Sequence, residues 1–189
     1  HIHGADALNV LKAAAQGAKI ENADLTKVAD ALTTTMTDFH FKVGDAALVM
    51  SKLVAVTGGG KLTMEEMAGS LHSVDQVASV AGLSLDQTGG ALATLTLHGM
   101  SADQATQNLR NAIQNLLAPN QVATKEMAGL GINALDLSSH LGERGLTGTY
   151  KILTTAIADH TKNGHVVLDL MNNSALAAGK ANRELEALP

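Results

Sequence analysis

Several residues in this chain are of types that catalyse or bind, and their spacing decides what each can do. Thr57-Gly58-Gly59-Gly60-Lys61 has the ingredients of a loop that cradles phosphate. The Walker form of that loop needs a Gly five places before its second Gly, and a Ser or Thr after the Lys to hold magnesium. Those places hold Ala55 and Leu62, and the stretch joins two helical patterns where a phosphate loop follows a strand. It reads as an interhelical turn.

The histidines and acids give no stronger signal. His40, His72, His98 and His140 are far apart, and His160 and His165 are five apart, off the i, i+4 face that helical zinc motifs use. His1 and His3 are placed only for adventitious metal at a terminus. Glu65-Glu66 and Glu184 with Glu186 offer the paired carboxylates that hydrolysis requires. Acids in a helix's first turn are explained by the helix dipole, which favours negative charge there. Arg110 lies in a mostly uncharged helical pattern and has two readings: an ion pair across an interface, or a surface arginine with its stem laid on apolar groups. The expectation is a chain without enzyme activity, cofactor or metal site.

Composition agrees with a structural role. Apolar residues make up 46% of the 189 residues but aromatic ones only 2%, so the core must be built from Ala, Leu, Val and Met. The net charge is −5 and the thirteen Lys and Arg are scattered, whereas nucleic-acid binders concentrate positive charge on one face. No specific nucleic-acid partner is expected. Cysteine is absent, which excludes disulfides and thiolate metal sites without fixing the compartment. The apolar run from Ala46 to Val56 is interrupted by Ser51 and Lys52 and falls short of the ~20 residues of a membrane span. His1-Ile2-His3-Gly4 has no initiator methionine, and a start in mid-pattern reads as a piece of something longer.

The elements that must position these residues are helices. Thr63, Ser84 and Ser101 each precede a helical apolar pattern and each has Glu or Gln three places on, at Glu66, Gln87 and Gln104. That is the capping box, in which the hydroxyl accepts from an unpaired N–H of the first turn and the longer side chain reaches back. Gly82 and Gly99, each followed by one apolar residue and then a cap, supply the left-handed backbone that closes a helix. Upstream, Leu8, Leu11 and Ala15 recur at helical spacing, and Asp24 caps a pattern carrying Leu25, Val28 and Leu32 on one face. Phe39 to Gly44 reads as a connector, and Pro119 as the first turn of a helix ending at Gly129 or Gly131.

The caps Asp24, Thr63 and Ser101 are 39 and 38 residues apart, and Leu25 to Ala29 laid beside Met64 to Ala68 keeps the apolar positions in register. We read this as helical hairpins repeated about three times, each hiding its apolar face against the next. The predicted fold is all-α, with short capped helices in repeated hairpins and a C-terminal helical extension. The predicted divisions are a helical core at residues 1–131, a Gly-rich linker at 132–148 and C-terminal helices at 149–189. In the last, Val167, Met171, Ser174, Ala178, Ala181, Leu185 and Leu188 are spaced 4, 3, 4, 3, 4, 3, the seam of a coiled coil. Val167, Met171, Ala178, Ala181, Leu185 and Leu188 are the candidate oligomer interface; the alternative is an amphipathic helix packed on its own domain.

The stretches Gly60 to Glu66, Val77 to Ser84, Ala91 to Thr96, Ser101 to Gln104 and Leu109 to Ile113 resemble, in this order, the core region of phage tail tape-measure proteins. Residues 4–131 follow the family pattern and the remainder does so more loosely. The resemblance implies a virion protein in the lumen of the tail, made in the host cytoplasm, that sets tail length, organises assembly and leaves during genome ejection. It implies copies of itself, as trimer or hexamer, and tail-tube and tail-tip proteins as partners. Two alternatives stay open: a membrane-active helical protein in transient contact with the host membrane, aiding DNA passage, and a non-catalytic fragment of a cell-wall hydrolase.

Overall fold

The computed structural model describes residues 4–161, all of whose regular elements are helices. In order they are α1 (Ala5–Glu21), α2 (Leu25–Asp38), a 3-10 turn (Val43–Asp45), α3 (Ala46–Gly59), α4 (Met64–Ser70), α5 (His72–Val80), α6 (Leu85–Leu97), α7 (Ala102–Leu117), α8 (Gln121–Gly129), α9 (Ala134–Ser139) and α10 (Leu141–Thr161). Leu71, between α4 and α5, keeps helical dihedrals, so the two form one nearly continuous element.

Helix starts follow the caps. The Thr63 hydroxyl accepts from Glu66 N–H at 3.2 Å while Glu66 accepts from Thr63 N–H at 2.8 Å. The same exchange ties Ser84 to Gln87 and Ser101 to Gln104. Asp24 caps α2 by accepting from Lys27 N–H at 3.0 Å. Asn120 caps α8 and Asn133 caps α9, so Pro119 lies just outside its helix rather than in the first turn. It disfavours helical backbone at the residue before it, and Ala118, at φ −135° and ψ 70°, is where α7 stops.

Five helix ends share one device. Asn22, His40, Gly82, Gly99 and Gly131 all have positive φ. The residue after each donates its N–H to a carbonyl five positions back: Ala23 to Ala18, Phe41 to Met36, Leu83 to Ala78, Met100 to Leu95 and Ile132 to Met127. This is the Schellman arrangement, which pairs carbonyls the helix end would leave orphaned and turns one apolar residue inward. At all five, the residue after that is the next N-cap: Asp24, Lys42, Ser84, Ser101 or Asn133.

The helices stack in two layers. In one, α1 packs on α3 and α3 on α6; in the other, α2 packs on α4 and α5, which pack on α7. Each hairpin contacts its neighbour in sequence, and α1 with α6, or α2 with α7, share no extensive contact among the described residues. That pattern is a short solenoid, in which each repeat is stabilised by the next. The main core runs through it without a break, from Val10 and Ala14 through Leu32, Leu53, Met67 and Leu92 to Leu109 and Ile113. Small residues let the first layer close up: a Cβ on Gly17 would come within 2.5 Å of the Met50 sulfur, and one on Gly89 would collide with Val56.

Two expectations differ from the structure. In α1 the buried face is Val10, Ala13, Ala14, Gly17 and Ala18, while Leu8, Leu11 and Ala15 are exposed. The helix has apolar residues on two sides, and only one side meets α3. The glycine-rich stretch 132–148 is helical, carrying α9 and the first turns of α10. Leu141 is fully buried in the main core, and Gly142 sits so close to Gly82 that a Cβ would lie 2.5 Å from its carbonyl oxygen. Gly145, at φ +67°, kinks α10, and Leu130, Ile132 and Leu137 form a second small core with Leu153, Ala156 and Ile157.

Candidate interaction surfaces

The residues whose types could do chemistry take structural places. Thr57 is buried and donates to Val54 O of its own helix, α3 continues through Gly59, and Lys61 is exposed with its N–H donated to Thr96 Oγ1. No ring of N–H groups faces outward there. Glu66 is held below the usual carboxylate range, first by the backbone N–H of Thr63 and then by the Thr63 hydroxyl. Its neighbour Glu65 accepts from Asp24 N–H and lies 3.7 Å from Lys27, tying α4 to the start of α2. Arg110 is half-buried on α7, with its Nε enclosed and without a hydrogen-bond partner among the described residues. His140 and Arg144 both approach Asp136, and the hydrogen bond from Arg144 is the main cause of that carboxylate's lowered pKa. Among the described residues no group of three or more His, Asp or Glu converges as a metal site.

The unusual group is Asp75. It is fully buried on α5, accepts from the Thr35 hydroxyl at 2.9 Å, and leaves its other oxygen without a partner among the described residues. Burial pushes its pKa from 3.8 up to about 7; the Thr35 hydrogen bond opposes this and nearby Asp38 adds to it. Asp38 in turn faces His72 at 3.6 Å, and its backbone carbonyl accepts from the Ser79 hydroxyl. These groups join the first hairpin to the second across the α2–α5 contact. The repeat register shows why the site is unusual: the matching positions, 39 residues earlier and 38 later, are Met36 and Ile113, both buried in the core. An acid therefore stands where the other two repeats are apolar. Extending the alignment of Leu25 to Ala29 with Met64 to Ala68 by seven residues would have revealed it.

The candidate oligomer interface, Val167, Met171, Ala178, Ala181, Leu185 and Leu188, lies outside the described residues. What the described surface offers is apolar side chains at helix faces and ends, among them Leu8, Leu11, Ile20, Val80, Leu135 and Ile152. An open cleft beside α10 is lined by Ile132, Lys151, Ile152, Asp159 and His160, and another, between α2 and α4, by Lys27, Asp30, Glu65 and His72. Neither collects a nucleophile, a base and a pair of aligned donors, the geometry that covalent catalysis requires. No helix among the described residues is long and apolar enough to cross a membrane.

Comparison with known proteins decides the family, because the model for phage-related minor tail proteins matches residues 2–178. The chain belongs to that family. It is also 23% identical over 158 residues to the tape measure protein of Pneumococcus phage Dp-1, an alignment covering 83% of this chain and 14% of that relative. The chain thus spans a small part of the relative's length. No solved structure matches it. The resemblance read from residues 4–131 holds, and family membership makes the chain a component of the phage tail and so of the virion.

Proposed function

We propose that this chain is a structural section of a phage tail tape-measure protein, which sets tail length, organises tail assembly in the host cytoplasm and leaves the tail lumen during genome ejection. It has no catalytic role. Its partners are further copies of itself and the tail-tube and tail-tip proteins, and it has no specific contact with DNA.

The observation that carries this reading is the repeated hairpin stack in a tail-family chain. A solenoid is a modular length: each repeat adds a fixed increment and buries its face on the next. One hairpin of 39 residues advances the stack by roughly 8–10 Å, the distance between packed helices. Drawn out as a single helix, the same residues would cover about 58 Å at 1.5 Å per residue. The number of residues therefore sets a length in either state. Short helices joined by tight caps, with few aromatic anchors, suit a body that must be both packed and drawn out.

Cross-linking of intact virions, read by mass spectrometry before and after ejection is triggered, tests the placement. The reading expects cross-links from residues 4–161 to tube protein in full particles and their loss from emptied ones. Cross-links that persist unchanged after ejection would show a fixed tail component instead.

A further inference from the structure

The exposed apolar face of α1 is in register with the faces by which the later hairpins dock. On α6, Asp86 pairs with Lys52 of α3, Gly89 meets Val56, and Ala93 lies nearest to Gly59. Counting back 39 residues gives Ala47, Met50 and Val54 on α3, of which Met50 closes over Gly17 of α1. Counting back 39 again gives Leu8, Leu11 and Ala15, which are the residues that α1 leaves exposed, Leu8 at 67% and Leu11 at 50%.

We propose that this face of α1 is a docking surface for a further helical hairpin of the same repeat, seated as α1 itself is seated on α3. The register alone supports it, independently of the tail reading. Size complementarity specifies the occupant. Met50 fills the space above Gly17, and Gly89 leaves room for Val56, so each junction sets one large residue against one small one. With Leu11 at the Met50 position, the incoming helix must carry Gly or Ala where α1 has Gly17. The far end of the stack offers no equivalent face, because α9 packs on α7, and α10 lays Gly142 on the Gly82 turn. Solenoids need such closure at an end, and among the described residues only the α7 end has it.

The test duplicates residues 7–45 in tandem, which adds one hairpin at the native 39-residue spacing and places a Gly17 above the internal Leu11. Urea unfolding of this chain should remain a single transition, with a midpoint higher than that of the parent. Leu11→Glu at the internal copy should cancel the gain, while the same change in the parent leaves its midpoint where it was. An added hairpin that melts separately, or a Leu11→Glu effect equal in both chains, would overturn the proposal. So would a parent that self-associates in light scattering and is dissociated by Leu11→Glu, since the occupant would then be a second copy.

Discussion

Replacing Asp75 should stabilise the protein at neutral pH and remove most of a pH dependence that the native chain possesses. The carboxyl is buried on a core position, and its pKa rises from 3.8 to about 7 because desolvation penalises the charged form. The folded state then binds this proton more tightly than the unfolded state. The stability associated with it is fully present below about pH 4, declines as pH rises toward 7, and is lost above that. A shift of this size corresponds to at most about 4 kcal/mol, less whatever relaxation around the ionised carboxylate recovers. Asp75→Asn keeps an oxygen to accept from Thr35 and carries no charge. At pH 8 its urea midpoint should exceed that of the native protein by roughly 1–2 M, at a slope typical of small proteins, and the gap should close toward pH 4. Asp75→Ile, the residue type at the matching position in the third repeat, should also lose the pH dependence but gain about 1 kcal/mol less, because the Thr35 hydroxyl loses its partner. Circular dichroism at 222 nm in urea between pH 4 and 8 measures all three. The informative quantity is the difference between native and Asn chains. A difference that does not vary with pH would refute the assignment of a raised pKa to Asp75.

Further substitutions probe the joints of the stack. Gly142→Ala sets a Cβ against the Gly82 carbonyl, which is backbone and cannot swing aside, and should cost about 1–3 kcal/mol and hasten proteolysis within α10. Ser84→Ala removes the cap of α6 and should cost about 1 kcal/mol in urea unfolding, with Ser84→Thr nearly neutral. Leu92→Ala opens a cavity at the centre of the core and should cost about 2–5 kcal/mol, whereas Leu8→Ala, on the open face of α1, should stay within about 0.5 kcal/mol.

Local chemistry made much of this fold legible. A capping box needs only residues three apart, so Thr63, Ser84, Ser101 and Asp24 mark helix starts before any packing is known. Gly82 and Gly99 are equally visible as helix ends. The same turn at His40 is hidden, because histidine carries no comparable sequence mark, whereas Asn22, two residues before the cap Asp24, is of a type that enters the left-handed region readily. Gly131-Ile132-Asn133 repeats the visible device, but the run Gly142, Gly145, Gly148 beyond it drew the reading toward a linker. There Gly142 serves close packing and only Gly145 bends the chain. Periodicity likewise picked out Leu8, Leu11 and Ala15 on α1, whereas the side that packs inward carries Val10, Ala13, Ala14 and Ala18. Asp75 carries no local signal, and its meaning emerges only when three repeats are set side by side. The heptad seam from Val167 to Leu188 lies outside the described residues.

Tail length in phage carrying altered copies of this protein tests the central claim most directly. One phage would carry the tandem duplication of residues 7–45 and another a deletion of one hairpin, residues 46–84, with tails measured by cryo-electron microscopy. A section of a tape measure predicts longer tails from the first and shorter tails from the second, by equal increments. The increment is about 9 Å if the hairpin stays stacked and about 58 Å if it is drawn into one helix. Normal tails of unchanged length from both phages would contradict the account.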